Sequence, residues 1–379
     1  MKRGVSILLA AAAITAAAPR SAFAGGRITY SASVYSPAGT VSLDEDLNEE
    51  GEVIRNKLTV DKALDYALQN SGDVKRGDED AYLAVEKHHT LYQAFTESMS
   101  TDSMVSALVA LTRNEMEQSM AYPEREDQKE ALRASITRYF QAVLSAERAL
   151  ALYDEKIELD KKELAINEVK LRLGQISQAD FDSAKTAYGK SLSERKTREK
   201  AIEDAYKNLS DIMGVSRQSR YEPVIDLPYS PFNMETAKAH IETAADASLS
   251  VKKAEENLKV LDYQRRINIY KDDYDIESAD IELERAKRDL ADLRDKFKDD
   301  MTALYDEIKE EERSIGLLEA DLAEKEKALE ITRTKLKLGK ASQFEADKAE
   351  YEVKSLRADL QNKKEEHGVD VLRFKQGRV

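Results

Sequence analysis

The sequence contains no cysteine, which excludes disulfides, thiolate catalysis and lipid attachment through an N-terminal cysteine. It also lacks tryptophan and has only 6 prolines and 14 glycines among its 379 residues. Charged residues make up 35% of the chain, and Ala, Glu, Lys, Leu and Arg dominate it. This composition is typical of long helices and coiled coils. We therefore predict an all-α protein whose apolar surface runs in stripes along the helices.

Few side chains are available for the usual chemistry of an active site. Of the 4 histidines, the neighbours His88 and His89 would point about 100° apart on a helix, which suits a shared metal ion poorly. The sequence has no phosphate-binding loop, dinucleotide fingerprint or serine nucleophile elbow. The formal net charge of −14 repels nucleic acid. We predict no enzyme activity, no cofactor and no nucleic-acid partner.

The N-terminus has the features of a secretory signal peptide at residues 1–24. Lys2 and Arg3 precede a short apolar run, and Ala22-Phe23-Ala24 is a small-x-small cleavage site. The run is shorter than the roughly 20 residues that a membrane-spanning helix needs. Residues 25–57 are rich in Gly, Ser, Asp and Glu, and we expect a flexible leader there.

An internal repeat with a spacing of 165 residues organises the remainder of the chain. The first copy carries an apolar residue at every seventh position, namely Ile136, Val143, Leu150, Ile157, Leu164 and Leu171. The second copy carries the same series 165 positions later, namely Met301, Ile308, Ile315, Leu322, Leu329 and Leu336. Such a series keeps one seam of a helix facing a partner helix.

Each heptad series ends in the motif Leu-Gly-x-x-Ser, at residues 173–177 and 338–342. The glycine can adopt the left-handed conformation that closes a helix, and the serine can cap the next helix. An acidic residue three positions after the serine, Asp180 or Glu345, fits a capping box. Each motif therefore predicts a tight helix–turn–helix tip.

These patterns predict three segments after the leader. The first helical repeat covers residues 58–214, with its tip at 174–177 and a helix of roughly 70 Å from about Asp127 to Leu173. A linker at 215–233 contains three of the prolines, and the second helical repeat covers 234–375, with its tip at 339–342.

The segment from Leu58 to Asn70 reads Leu-Thr-x-x-x-Ala-Leu-x-x-Ala-Leu-x-Asn. With the signal peptide before it and the two tips after it, this segment makes the chain resemble the TolC family of outer-membrane efflux proteins. The resemblance extends over about residues 58–375. It implies duplicated long antiparallel helical hairpins that form a coiled-coil α-barrel protomer, and a homo-oligomer, specifically a trimer.

The resemblance also implies partners and binding residues. In that family the tips meet a periplasmic adaptor, which serves an inner-membrane pump of the ABC or RND type. Carried over by position, the adaptor-binding residues are Leu173, Gly174, Ile176, Ser177, Leu338, Gly339, Ala341 and Ser342. Ala341 replaces the larger aliphatic residue found at Ile176, so we expect the second tip to bind more weakly.

One departure from the family pattern concerns the β-strands that its members insert to form an outer-membrane pore. The corresponding positions lie near residues 98–126 and 268–292, where the sequence shows no alternating strands of about ten residues. We therefore expect a helical duct that lacks most or all of the β-barrel strands. We expect the apolar run from Met104 to Leu111 to be a buried helix, and contact with a membrane stays open.

Two other functions fit the same sequence. The protein could be a structural coiled coil of the cell envelope with no role in transport. It could also be a periplasmic adaptor, because adaptor hairpins carry a similar turn. Adaptors have one hairpin between β-rich domains, so two hairpins favour the efflux duct.

Overall fold

The computed structural model describes residues 46–47, 53–54, 57–217, 221–225, 227–232, 237–271 and 274–378. The predicted signal peptide and most of the predicted leader lie outside these residues. Four short strands occur in the described part, namely β1 (Asp46–Leu47), β2 (Val53–Ile54), β3 (Lys57–Thr59) and β4 (Glu222–Val224). The helices are α1 (Val60–Asn70), α2 (Gly72–Thr96), α3 (Thr101–Arg172), α4 (Gln178–Met213), α5 (Ala237–Ala247), α6 (Leu249–Asn268), α7 (Ile276–Lys337) and α8 (Gln343–Lys375).

Two long helical hairpins confirm the predicted all-α fold. In the first hairpin the 72-residue α3, about 110 Å long, packs against α4. In the second the 62-residue α7, about 90 Å long, packs against α8. All twelve residues of the two heptad series are buried or half-buried. The seam that the sequence predicted is therefore the seam along which the helices pack.

The first hairpin helix is longer than the sequence indicated. Helix α3 begins at Thr101, not near Asp127, and it continues through Pro123. A proline inside a helix removes one backbone N–H and crowds the preceding turn. Here the two residues that follow the proline form ion pairs with other helices, because Glu124 lies 2.8 Å from Lys253 of α6 and Arg125 lies 3.3 Å from Asp78 of α2.

The two hydrophobic cores contain residues that lie 165 positions apart in the sequence. The first core contains Ile136, Phe140, Val143, Tyr206 and Leu209, and the second contains their equivalents Met301, Tyr305, Ile308, Val371 and Phe374. Equivalent stretches of the two hairpins therefore bury equivalent positions.

A parallel strand pair joins the starts of the two repeats. Strand β3 pairs with β4, and Leu58 lies opposite Pro223, again 165 residues apart. Thr59 then caps α1, its side chain accepting a hydrogen bond from the backbone N–H of Lys62. The predicted linker thus contains a strand that its three prolines did not reveal.

The two segments where β-strands were sought are mainly helical in their described residues. Residues 101–126 belong to α3, and the described part of 268–292 consists of the end of α6, a turn and the start of α7. Val105 and Leu111 are buried, as expected for the apolar run of α3. None of the described helices combines the length and apolar character of a membrane span.

Candidate functional site

The two tips have the same backbone geometry. Gly174 and Gly339 both have a φ of 70°, the left-handed conformation that glycine adopts most readily. The N–H of Gly174 donates to the carbonyl of Leu171 at 2.9 Å, and the N–H of Gly339 donates to that of Leu336 at the same distance. A β-carbon on either glycine would meet nothing within 4 Å, so backbone conformation and not crowding favours glycine here.

Each ascending helix starts with a complete capping box. The Ser177 hydroxyl accepts from the N–H of Asp180 at 3.2 Å, and the Asp180 carboxylate accepts from the N–H of Ser177 at 3.1 Å. In the second tip the corresponding Ser342 and Glu345 distances are 3.2 and 2.7 Å. Hydrogen bonds from Ser177 lower the pKa of Asp180, and those from Ser342 lower the pKa of Glu345. The same pattern of hydrogen bonds therefore fixes the conformation of both turns.

Each tip exposes one large apolar side chain. Leu173 is 67% exposed and Leu338 is 65% exposed, whereas Ile176 and Ala341 are half-buried. The last turn of each descending helix also carries basic residues, namely Lys170, Arg172, Lys335 and Lys337. Each tip thus combines an exposed leucine with basic residues one and three positions before it, which we call the cationic rim of the tip.

Both tips lie at the same end of the molecule. Helix α3 of the first hairpin packs antiparallel against α8 of the second. Lys162, near the end of α3, lies 2.6 Å from Asp347, near the start of α8. Further from the tips, Glu155 lies 2.9 Å from Lys354. Because one helix runs into its tip where the other leaves its own, the two tips are side by side.

The described residues contain no cluster of three or more His, Asp or Glu side chains that could hold a metal ion. His88 is half-buried at 3.8 Å from Glu115, and His89 is exposed.

Solved structures of membrane proteins share this architecture. A membrane protein from Pseudomonas aeruginosa superposes with a TM-score of 0.63 at 11% identity, covering 84% of this chain and 90% of that chain. CusC superposes with a TM-score of 0.64 at 11% identity over 84% and 92%. The outer membrane protein VceC from Vibrio cholerae gives 0.56 at 12% identity over 84% and 96%.

The chain has the TolC fold. At identities this low the likeness shows the fold alone. No family model and no curated protein matches the sequence. Within this fold, each Leu-Gly-x-x-Ser motif forms a turn between two paired helices.

The TolC fold of this chain also buries ionisable groups that the sequence analysis missed. His367 of α8 is fully buried, with its ring centre 5.0 Å from that of Tyr229 in the linker, and burial lowers the pKa of this histidine. Glu311 of α7 is buried 3.0 Å from Lys363, and burial raises the pKa of Glu311 to about 7. Neither residue belongs to the heptad series, so no sequence pattern marked them.

The end of the linker is bound to α7 next to buried Glu311. The backbone N–H of Phe232 donates to the carboxylate of Glu312 at 2.5 Å, and the Lys309 ammonium donates to the Phe232 carbonyl. Lys309 also lies 2.7 Å from Glu312. These contacts anchor the end of the linker to α7, at the level of the second core.

Proposed function

We propose that this protein is a TolC-like efflux or export component of the cell envelope. It forms an oligomeric helical duct and docks through its hairpin tips on a periplasmic adaptor of a pump of the ABC or RND type. The observation that carries the proposal is the pair of nearly identical tips at one end of the molecule, each exposing a leucine.

The comparisons support the general part of this proposal. The Campylobacter jejuni protein CmeC and the Neisseria gonorrhoeae protein MtrE are outer membrane channels, and both share the fold, with TM-scores of 0.56 and 0.54. The signal peptide predicted at residues 1–24 supports a location in the cell envelope.

Physical chemistry supports docking at the tips. Burying an exposed leucine stabilises a complex by about 1.5–3 kcal/mol, and each copy offers two. The rigid turns limit the conformational entropy that docking would remove. The cationic rim favours a partner with carboxylates around an apolar groove, as a hairpin of another coiled coil can provide.

Photo-cross-linking in native cells tests the proposal. A benzophenone amino acid replaces Ile176 in the first tip or Ala341 in the second, and irradiated products are identified by mass spectrometry. We expect a product that contains the hairpin of a periplasmic adaptor. A matched probe at Leu83, an exposed apolar residue of α2, should give no such product. Absence of the adaptor from both tip products would contradict the proposal and favour a structural coiled coil.

Charge introduced at the tips sharpens this test. Replacing Leu173 and Leu338 together by Asp should lower the yield of the tip cross-link more than tenfold, because two apolar contacts become buried carboxylates. The control Leu83→Asp should leave the yield unchanged. Circular dichroism should show equal helicity in all three proteins, since these side chains are exposed.

A further inference from the structure

The linker between the two repeats is attached at two places. Its strand β4 pairs with β3 at the start of the first repeat. Its later part, residues 227–232, contacts α7 and α8 of the second repeat through Phe232 and Tyr229, and we call these residues the strap. Because the two attachments belong to different repeats, the linker ties the repeats together through non-covalent contacts as well as through the chain.

A glycine in α8 makes room for the strap. Gly368 lies inside the helix, where glycine is less favourable than alanine. A β-carbon at this position would lie 3.0 Å from the β-carbon of Leu227. The residue before it, His367, also packs against the strap, with its ring centre 5.0 Å from that of Tyr229 and the two rings at 61°. Helix α8 is therefore shaped to receive the strap.

One carboxylate oxygen holds the other end of the strap. The Oε1 atom of Glu312 accepts a hydrogen bond from the backbone N–H of Phe232 at 2.5 Å, and the same atom lies 3.5 Å from Nε2 of His367. Although burial opposes it, hydrogen bonds from Lys309 and from Phe232 lower the pKa of Glu312, so this carboxylate stays charged in mild acid. A protonated His367 would donate from both ring nitrogens and would compete with Phe232 for this oxygen.

His367 is an unusual residue for a core. Its side chain is 1% exposed, and among the described residues neither of its ring nitrogens has a hydrogen-bond partner. In the first repeat the equivalent residue is Ile202, which packs against the first core. An apolar side chain thus meets the packing requirement of this position, whereas the histidine leaves polar atoms unpaired, which is unfavourable. Packing alone does not account for the histidine.

Titratable and charged groups face the imidazole ring, or the tyrosine that covers it, from each element around it. They are Glu312 and Lys309 of α7, Tyr229 of the strap, and Lys364 and Asp370 of α8. On the side of α3, Arg148 is paired with Glu365, two positions before His367. Burial outweighs the carboxylates and lowers the pKa of His367 from its ordinary value of 6.5. The neutral ring is therefore the form that fits beneath the strap.

We infer that the strap is a proton-sensitive latch between the two repeats, which mild acid releases from α7 and α8. The imidazole ring takes a proton more readily when the strap is open, because water then reaches the ring. Protonation therefore stabilises the open strap relative to the closed one. The contribution of His367 to the closed strap is full above about pH 6.5 and is lost as the pH falls below this value. Strands β3 and β4 contain no histidine, so the linker stays attached to the first repeat.

Hydrogen–deuterium exchange of the full-length protein at pH 5.5 and 7.5, with labelling times scaled to the intrinsic exchange rates, measures opening of the strap. The amides of the strap include that of Phe232, whose hydrogen bond to Glu312 breaks on opening. We expect opening to be about tenfold more frequent at pH 5.5 than at pH 7.5, because a freed histidine with a pKa of 6.5 is then mostly protonated. Peptides that contain β3 should show equal scaled exchange at both pH values.

Substitutions of the two histidines of the second repeat core separate the latch from other effects of acid. His367→Phe keeps a ring against Tyr229 but cannot take a proton, and His367→Gln provides a second neutral side chain in case the first packs poorly. In both variants, exchange of the strap should be the same at the two pH values. The matched control His240→Gln removes the histidine whose ring lies 5.2 Å from that of Phe374, and it should keep the tenfold response.

Three results would overturn the inference. The first is equal scaled exchange of the strap at both pH values in the natural protein. The second is a tenfold response that survives in both His367 variants, because the proton would then act elsewhere. The third is a response of the same size in the β3 peptides, which would show unfolding of the chain in place of release of the strap. The latch lies within one chain, so its failure would leave the proposed function standing.

Discussion

The two repeats of the molecule agree closely at their tips and differ at their cores. At the tips the glycine conformation, the capping boxes and the exposed leucines coincide. At the cores, a tyrosine pair closes the first repeat, since Tyr206 and Tyr221 lie with ring centres 5.6 Å apart. The second core instead contains a cluster of rings around Phe374. The two repeats therefore coincide where the helices turn and differ in the aromatic residues that fill each core.

The largest expected effect tests how the two cores differ. Phe374→Ala should destabilise the protein by about 3–5 kcal/mol, because it leaves a cavity and removes ring contacts to Phe232 and Tyr305 at 5.2 and 5.9 Å. Leu209→Ala, at the equivalent position of the first repeat, removes fewer atoms and should cost about 2–4 kcal/mol. Denaturant unfolding followed by circular dichroism measures the free energy of unfolding of both variants. An equal loss in the two variants, or a larger loss in Leu209→Ala, would contradict the comparison.

A pH-dependent difference between the repeats should be somewhat smaller. Glu311 has a pKa raised from 4.5 to about 7, so its contribution to folding is full below pH 4.5 and is lost as the pH rises through about 7. Its equivalent in the first repeat is Ala146. Glu311→Gln should therefore stabilise the protein at pH 8 by up to about 3 kcal/mol, with no gain at pH 4.5.

Thermal melting of this variant at a series of pH values measures the effect. The neighbouring exposed residue provides a control, because Glu310→Gln should change the melting temperature little at any pH. If the melting temperatures of Glu311→Gln and of the natural protein differ by the same amount from pH 4.5 to 8, burial does not raise the pKa of Glu311.

The smallest expected effects test the likeness of the tips. Ser177→Ala and Ser342→Ala should each cost about 1 kcal/mol, because each removes the side-chain acceptor of one helix cap. Hydrogen exchange should report equal loss of protection in the first turns of α4 and α8. A clear loss at one tip and none at the other would show that the two turns are not equivalent.

The parts of the structure that the sequence predicted depend on local rules. A heptad series, a glycine that ends a helix and a serine that starts one act over a few residues, so Gly174 and Ser342 could be placed without knowledge of the fold. The same rules could not locate the start of α3, because they favour a helix boundary at Pro123, and this proline lies inside α3.

The parts that the sequence missed depend on distant partners. Strand β4 exists because it pairs with β3, from which it is separated by 165 residues. His367 is buried because the linker residue Tyr229 covers it, and Glu311 is buried because α8 brings Lys363 against it. The adaptor-binding role of the tips stays a prediction that the proposed cross-linking tests.

The position of the two tips relative to each other is the central claim, and a distance measurement tests it most directly. Spin labels at Leu173→Cys and Leu338→Cys, in protein diluted with unlabelled chains, report the separation within one copy. Adjacent helices lie about 10 Å apart, so the account predicts a label distance of about 15–25 Å. A distance above about 60 Å, which approaches the length of a hairpin helix, would place the tips at opposite ends and contradict the account.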